Sequence, residues 1–251
     1  MKLAIDTDNK IFALDASLID FEAWVGGDTP NWPTDEIILA ANFDSNLTDY
    51  YGNDGAWSGT PLYDATGFKD GNGCLDMTPI ANTAYVDFTD VDSYFYDAFS
   101  AGGFSLSFWM WNDYAGSGTT QQWKYFMNYG LGYAPNNGWD LTRYGHSEIF
   151  INRFNNNING NELSAWNDKS WDHFIYSANW TTGNLLIYKN DVKTLDKTGS
   201  FSAISDVGHS LRLGADPAGS QNTVLTKIGP LRVYNKILTS AERTQLYEEF
   251  D

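Results

Sequence analysis

From Glu36 onward the pattern is that of strands, beginning with an apolar run over 37–43 and including stretches that alternate apolar and polar with a period of two. The clearest stretch is Phe104-Ser105-Leu106-Ser107-Phe108-Trp109-Met110-Trp111. Alternation puts Phe104, Leu106, Phe108 and Met110 on one face, toward a core, and Ser105, Ser107, Trp109 and Trp111 on the other. Further short strands are predicted over 37–43, 85–88, 123–129, 138–143, 147–153, 171–179, 184–190, 209–213 and 224–234. Turn signals such as Thr182-Gly183-Asn184 separate them, and the spacing fits antiparallel hairpins in an all-β sandwich. One helix is predicted, at the C-terminal end. Thr239-Ser240-Ala241-Glu242 is a capping box, in which Thr239 takes the amide of Glu242 and Glu242 reaches back. Leu246 and Phe250 then share one face of that helix, against the sheet.

Residues 1–34 stand apart. Apolar stretches at 3–5, 11–14 and 21–25 precede the breaker cluster Gly26-Gly27-Asp28-Thr29-Pro30-Asn31-Trp32-Pro33. Two readings fit: an N-terminal arm or attachment segment on a hinge, or an extra pair of edge strands on a body spanning 35–251. No long-period repeat is visible, and the one low-complexity tract is Asn155-Asn156-Asn157-Ile158-Asn159.

Composition narrows the function. In 251 residues, 32 acids face 15 bases, a net charge of −17. Phosphate contacts need Lys and Arg, so nucleic acid is not the expected partner, and neither is an anionic membrane surface. No apolar run reaches the roughly 18 residues of a spanning helix. Aromatics at 16% are too many for a disordered chain. A single cysteine, Cys74, leaves neither an internal disulfide nor a CxxC metal site. Asp6, Asp8, Asp15 and Asp20 interrupt the stretch where a secretory signal would be apolar. The expectation is therefore a protein that works in the cell that makes it, or that leaves by lysis.

The order of these elements resembles laminin-G-like, concanavalin-A-like jelly-roll domains. "LAANFDSN" followed by "DYYGNDGAWSG" resembles their opening strand and Gly/Asn-rich loop. "DGNGCLDM", "AYVDFTD", "GFSLSFWMW" and "SWDHFIYSANWTTGNLLIYKNDV" resemble successive strands, and "HSLRLGAD" and "KIGPLRVYNKILTSAERTQLYEEF" the closing strands and helix. The match covers about 36–250. It implies an antiparallel two-sheet jelly-roll sandwich with one short C-terminal helix. Members are mostly recognition modules for glycans or proteins, and in bacteriophages they resemble appendages on heads and tails.

The resemblance also implies a structural calcium site. Asp44 matches its first ligand and Asn72 or Gly73 its second, but the third position reads Ile228-Gly229-Pro230, with Gly229 where an acid is expected. Calcium takes six to eight oxygens, so the site is expected to be weak and the protein to need no cofactor to fold. Asn155-x-Asn157-x-Asn159-Gly160 imitates the start of a calcium loop, but neutral amides give little charge attraction and Trp166 stands where the closing Glu belongs.

Catalytic spacing is missing. The E-x-D-x-x-E strand of glycosidases on this fold does not occur. Asp87, Asp90 and Asp92 lie around a strand end and are expected to form a solvated acidic rim. His146, His173 and His209 are far apart in sequence, and His173, beside Trp171, is expected to be structural. Binding is better provided for. An aromatic ring stacks on the flat face of a sugar while a neighbouring Asn or Asp takes its hydroxyls. Trp57, Tyr133, Trp139, Trp166 and Trp180 are placed in or near predicted loops, with Asn136, Asn137, Asn155 and Asn167 as neighbours.

The function expected is a non-enzymatic structural and recognition component of a phage particle. Residues 1–34 would join other virion proteins, the jelly roll would face a host-surface glycan, and copies would form a homo-oligomer on the virion. The alternative is a free carbohydrate-binding module, and the third a polysaccharide-active enzyme.

Overall fold

The computed structural model describes residues 32–44, 46–49, 54–59, 63–77, 85–90, 93–112, 123–130, 138–144, 148–152, 160–162, 169–199, 204, 209–215 and 226–250. Expectations that fall elsewhere, including residues 1–31, lie outside the described residues.

Two antiparallel sheets form the sandwich. One has eight strands: β1 (Ile37–Ala41), β3 (Tyr63–Asp64), β4 (Cys74–Asp76), β6 (Gly103–Asn112), β11 (Trp171–Asn179), β12 (Asn184–Lys189), β13 (Val192–Thr198) and β15 (Thr226–Tyr234). Their order is β13-β12-β11-β6-β15-β4-β3, with β1 also on β15. The other has seven: β2 (Gly55–Ser58), β5 (Tyr85–Phe88), β7 (Trp123–Gly130), β8 (Gly138–Tyr144), β9 (Glu148–Asn152), β10 (Gly160–Glu162) and β14 (Leu211–Leu213). Their order is β10-β9-β8-β7-β14-β5-β2. This is the expected two-sheet jelly roll, and the predicted strand at 171–179 matches β11 at both ends.

Phe104, Leu106, Phe108 and Met110 all enter the core between the sheets, as alternation along β6 requires. Phe108 stacks on Phe174 at 5.8 Å and meets Phe126 at 5.7 Å. A helix that the sequence pattern did not announce, α1 (Tyr94–Ser100), adds Phe95, Ala98 and Phe99 to this core. Asp90 starts it by accepting the N–H groups of Phe95 and Tyr96 at 2.7 and 3.1 Å. Phe99 then lies edge-on to Phe104, Tyr129 and Trp139, at 4.6–5.3 Å between centroids.

The outer face of the eight-stranded sheet is covered as well. The C-terminal helix α2 (Ser240–Glu248) starts with the predicted capping box at Thr239 and Glu242, and its Leu246 is buried. Arg232, on β15, is 1% exposed. Its guanidinium donates to Ala41 O, Asn42 Oδ1 and Glu249 Oε1. Trp32 lies over that guanidinium at 4.1 Å and joins a cluster with Ile37, Ala40, Tyr234, Leu238 and Leu246. Trp32 therefore belongs to the body, which begins at least three residues before the boundary placed at residue 35.

β13 was not foreseen, because Val192-Lys193-Thr194-Leu195-Asp196-Lys197-Thr198 carries little apolar alternation. It is the edge strand of its sheet, joined to β12 through Asn190 and Asp191, both at positive φ. Two successive left-handed residues fit the tight turn whose twist matches a hairpin.

Candidate ligand-binding face

Alternation fixes what the seven-stranded sheet presents outward. Val86 and Phe88 on β5, Leu211 and Leu213 on β14, Met127 and Tyr129 on β7, and Trp139 and Leu141 on β8 point into the core. Their neighbours Tyr85, Asp87, Arg212, Asn128 and Asp140 therefore face out. The register aligns them in a row: Ala56 is paired with Asp87, Asp87 with Arg212, Arg212 with Asn128, Asn128 with Asp140, and Asp140 with Asn152. One line of paired positions thus crosses six of the seven strands, and it is polar at Asp87, Arg212, Asn128 and Asp140.

The row divides by exposure. Asn128 and Asp140 are buried, and Asn128 donates to Ala215 O at 2.6 Å. Toward the β2 edge it opens: Ala56 is exposed, and Ser58, Tyr85, Asp87 and Arg212 are half-exposed. There Arg212 Nε and Nη2 donate to the two oxygens of Asp87 at 2.7 and 2.8 Å. Its guanidinium also lies 4.2 Å from the Tyr85 ring centroid. A paired carboxylate and guanidinium are thereby fixed against an aromatic ring, with only a methyl at Ala56 beside them. The planar fork of arginine holds such a geometry in a way lysine does not.

The residues chosen from sequence fare differently. Trp139 is fully buried on β8, stacked on Phe104 at 5.8 Å, and Trp180 is buried with its indole N–H on Phe99 O at 2.6 Å. Neither is available to a sugar, and their assignment to a binding surface is corrected: both are core residues. Trp57 is half-exposed but turns inward between β2 and β3, where its Nε1 donates to Tyr63 Oη at 3.1 Å. It closes the open side of the sandwich. Tyr133, Asn136, Asn137, Asn155, Trp166 and Asn167 lie outside the described residues. The acidic rim is corrected too. Asp87 is paired with Arg212, and Asp90 holds α1 and accepts from Tyr129 Oη at 2.8 Å. Asp92 is outside the described residues.

Asp44 and Gly73 do come together. The Gly73 N–H donates to Asp44 Oδ1 at 3.0 Å, and a Cβ at Gly73 would stand 2.9 Å from Phe43 O. Asn72 turns away, its side chain donating to Lys69 O at 3.0 Å. At Gly229 a Cβ would meet the Phe68 ring at 2.8 Å, so the position has no room for an acid. Among the described residues, no group of three or more His, Cys, Asp or Glu side chains gathers as a metal site.

His173 is structural in its surroundings. It is 1% exposed, 2.8 Å from Ser107 Oγ through Nε2, and packed in a three-ring group with Trp109 at 5.0 Å and Tyr247 at 6.0 Å. Burial, with Lys69 and Arg232 nearby, lowers its pKa to about 3. Burial likewise pushes the Cys74 thiol up to about 12, so it stays protonated and unreactive. His146 is outside the described residues. His209 lies edge-on to Tyr129 at 6.3 Å.

Asp87 and Arg212 were missed as site residues, though their signal was present. Tyr-Val-Asp-Phe and Leu-Arg-Leu each set a polar side chain against apolar neighbours, with opposite charges. What sequence lacked was the pairing of β5 with β14, which lie more than a hundred residues apart.

No family model matches this sequence, and no curated protein matches it. Solved structures share the fold. Domain 4 of AbnA, a GH43 extracellular arabinanase from Geobacillus stearothermophilus, in complex with arabinotriose, has a TM-score of 0.63 at 18% identity. That likeness covers 84% of this chain and 98% of that one. The binding domain of botulinum neurotoxin DC in complex with SialylT has a TM-score of 0.61 at 15% identity, covering 86% of this chain and 52% of that one. The binding domain of botulinum neurotoxin serotype C1 gives the same figures. This chain thus spans about half the length of the neurotoxin binding domains. At these identities the likeness is one of fold.

Proposed function

We propose that this chain is a non-catalytic carbohydrate-binding module that takes its ligand on the outer face of the seven-stranded sheet. The observation that carries this is the half-exposed group of Tyr85, Asp87 and Arg212 beside Ala56. A sugar presents a flat C–H face and a rim of hydroxyls. Tyr85 supplies a ring, Asp87 an acceptor and Arg212 donors, held by one another before any ligand arrives, which reduces the ordering needed on binding. The arabinanase domain solved with arabinotriose, matched over nearly all its length, supports the reading.

Catalysis is not favoured by the same face. Glycoside cleavage needs two carboxylates flanking the bond. The residues paired with Asp87 on either side are Ala56 and Arg212. The Ser107–His173 pair is buried under α2, away from any substrate.

A glycan array followed by titration calorimetry tests the proposal. Tyr85→Ala and Asp87→Ala are each expected to weaken binding at least about tenfold, roughly 1.4 kcal/mol, with the fold intact by circular dichroism. Absence of binding to any glycan, or binding indifferent to both variants, overturns it. A place on a phage particle, with the residues before Trp32 as the attachment and copies grouped on the virion, is the narrower form of the proposal. It is supported by the sequence resemblance and the acidic composition. Electron microscopy of particles, with density assigned to this chain, tests it.

A further inference from the structure

We infer that this face selects uncharged oligosaccharides and rejects sialylated, uronic and sulfated ones; the inference rests on the carbohydrate-binding reading above. An anionic sugar needs a cation to receive it. On the open half of the row that cation is Arg212, and both Asp87 oxygens already hold it, at 2.7 and 2.8 Å. The pair uses Nε and one N–H of Nη2, so a ligand carboxylate would have to share the remaining edge of the guanidinium with Asp87. Two negative charges would then divide one positive charge at close range. The site would exchange a neutralised pair for a cluster of net negative charge, which is unfavourable. The surroundings add to the bias: the same row carries Asp140, and the whole chain has a net charge of −17. A neutral sugar asks for no such exchange. Its hydroxyls donate to remaining lone pairs of Asp87 while the ion pair stays closed.

The test uses the full chain and matched sugars, lactose against sialyllactose and xylo-oligosaccharides against their glucuronic-acid-substituted forms, by calorimetry at low and moderate salt. The neutral member of each pair is expected to bind at least about tenfold more tightly, a difference of roughly 1.4 kcal/mol. Asp87→Asn leaves the guanidinium without its carboxylate and is expected to shift the ratio about tenfold toward the acidic member, with stronger salt dependence. Should Asp87→Asn fail to fold, Arg212→Gln serves instead, and is expected to deepen the rejection of acidic sugars. Acidic sugars binding as tightly as neutral ones, or a ratio unmoved in the folded variant, overturns the inference and leaves the carbohydrate-binding reading standing. Binding of neither kind defeats both.

Discussion

Arg232 and Glu249 meet in a buried ion pair, Nη2 to Oε1 at 3.0 Å, with side-chain exposures of 1% and 7%. The pair joins the end of α2 to β15. Removing one partner of a buried pair leaves the other uncompensated. Burial raises Glu249 from an ordinary 4.5 to about 7, against the pull of Arg232. A carboxyl whose pKa rises on folding contributes stability that is fully present below 4.5 and is lost as pH climbs through about 7. His173 acts in the opposite sense. Its pKa falls from 6.5 to about 3, so its contribution is present above 6.5 and is lost as pH falls through about 3. Denaturant melts across pH should therefore show a maximum between these limits. Glu249→Gln should remove the loss on the alkaline side. In proton magnetic resonance, the His173 ring should remain neutral at pH 5. A His173 resonance titrating near 6.5 would show that the ring reaches water.

Phe108→Ala should destabilise the protein by about 3–5 kcal/mol, the usual range for a buried ring. The side chain touches Phe126 on one sheet and Phe174 on the other, so its loss opens a cavity between layers. A loss below about 1 kcal/mol in a urea melt would contradict that packing.

Thr239→Ala should lower stability by about 0.5–2 kcal/mol through the lost cap. Glu242 also bonds Lys236 at 2.8 Å, so Glu242→Gln, which keeps an acceptor for the Thr239 N–H, separates the cap from the ion pair. A loss from Glu242→Gln with none from Thr239→Ala would assign the effect to the ion pair instead.

Removing residues 1–34 should destabilise the body more than removing residues 1–31, because only the longer deletion takes away Trp32. The difference is expected to be at least about 2 kcal/mol, as for other large buried side chains. Identical melting of the two truncated chains would mean that Trp32 on Arg232 contributes nothing.

Chelator should leave the melting temperature unchanged, because Asp44 already accepts the Gly73 N–H and Gly229 cannot carry an acid. Gly73→Ala should destabilise by about 1–3 kcal/mol through the clash with Phe43 O. A large upward shift on adding calcium would overturn the first expectation.

The fold was legible because its strongest signals are local. The alternation of 104–110 settled which face is buried, and the capping box fixed where α2 begins. The aromatic site was less legible, and for one reason: in a sandwich this rich in tryptophan, ring type says little about which side of a strand a ring takes. Trp139 lies at the start of the predicted strand 138–143 and Trp180 directly follows the predicted strand 171–179, and both turned inward. The open group came from residues that looked ordinary singly. Asp87 passed for a solvated acid until the register set Arg212 next to it. α1 escaped because seven residues, Tyr94-Phe95-Tyr96-Asp97-Ala98-Phe99-Ser100, offer too few turns for a helical period to emerge.

β13 bears on how copies of the chain behave at high density. An unpaired sheet edge is a template for another strand, and long flat apolar edges are where β-rich proteins aggregate. Here the exposed strand carries Lys193, Asp196 and Lys197, with Lys193 held to Asp196 at 2.6 Å. A strand adding from a neighbour would have to desolvate those charges. Sheet-to-sheet fusion along this border is thereby resisted, and copies can crowd together without merging into a continuous cross-molecule ribbon.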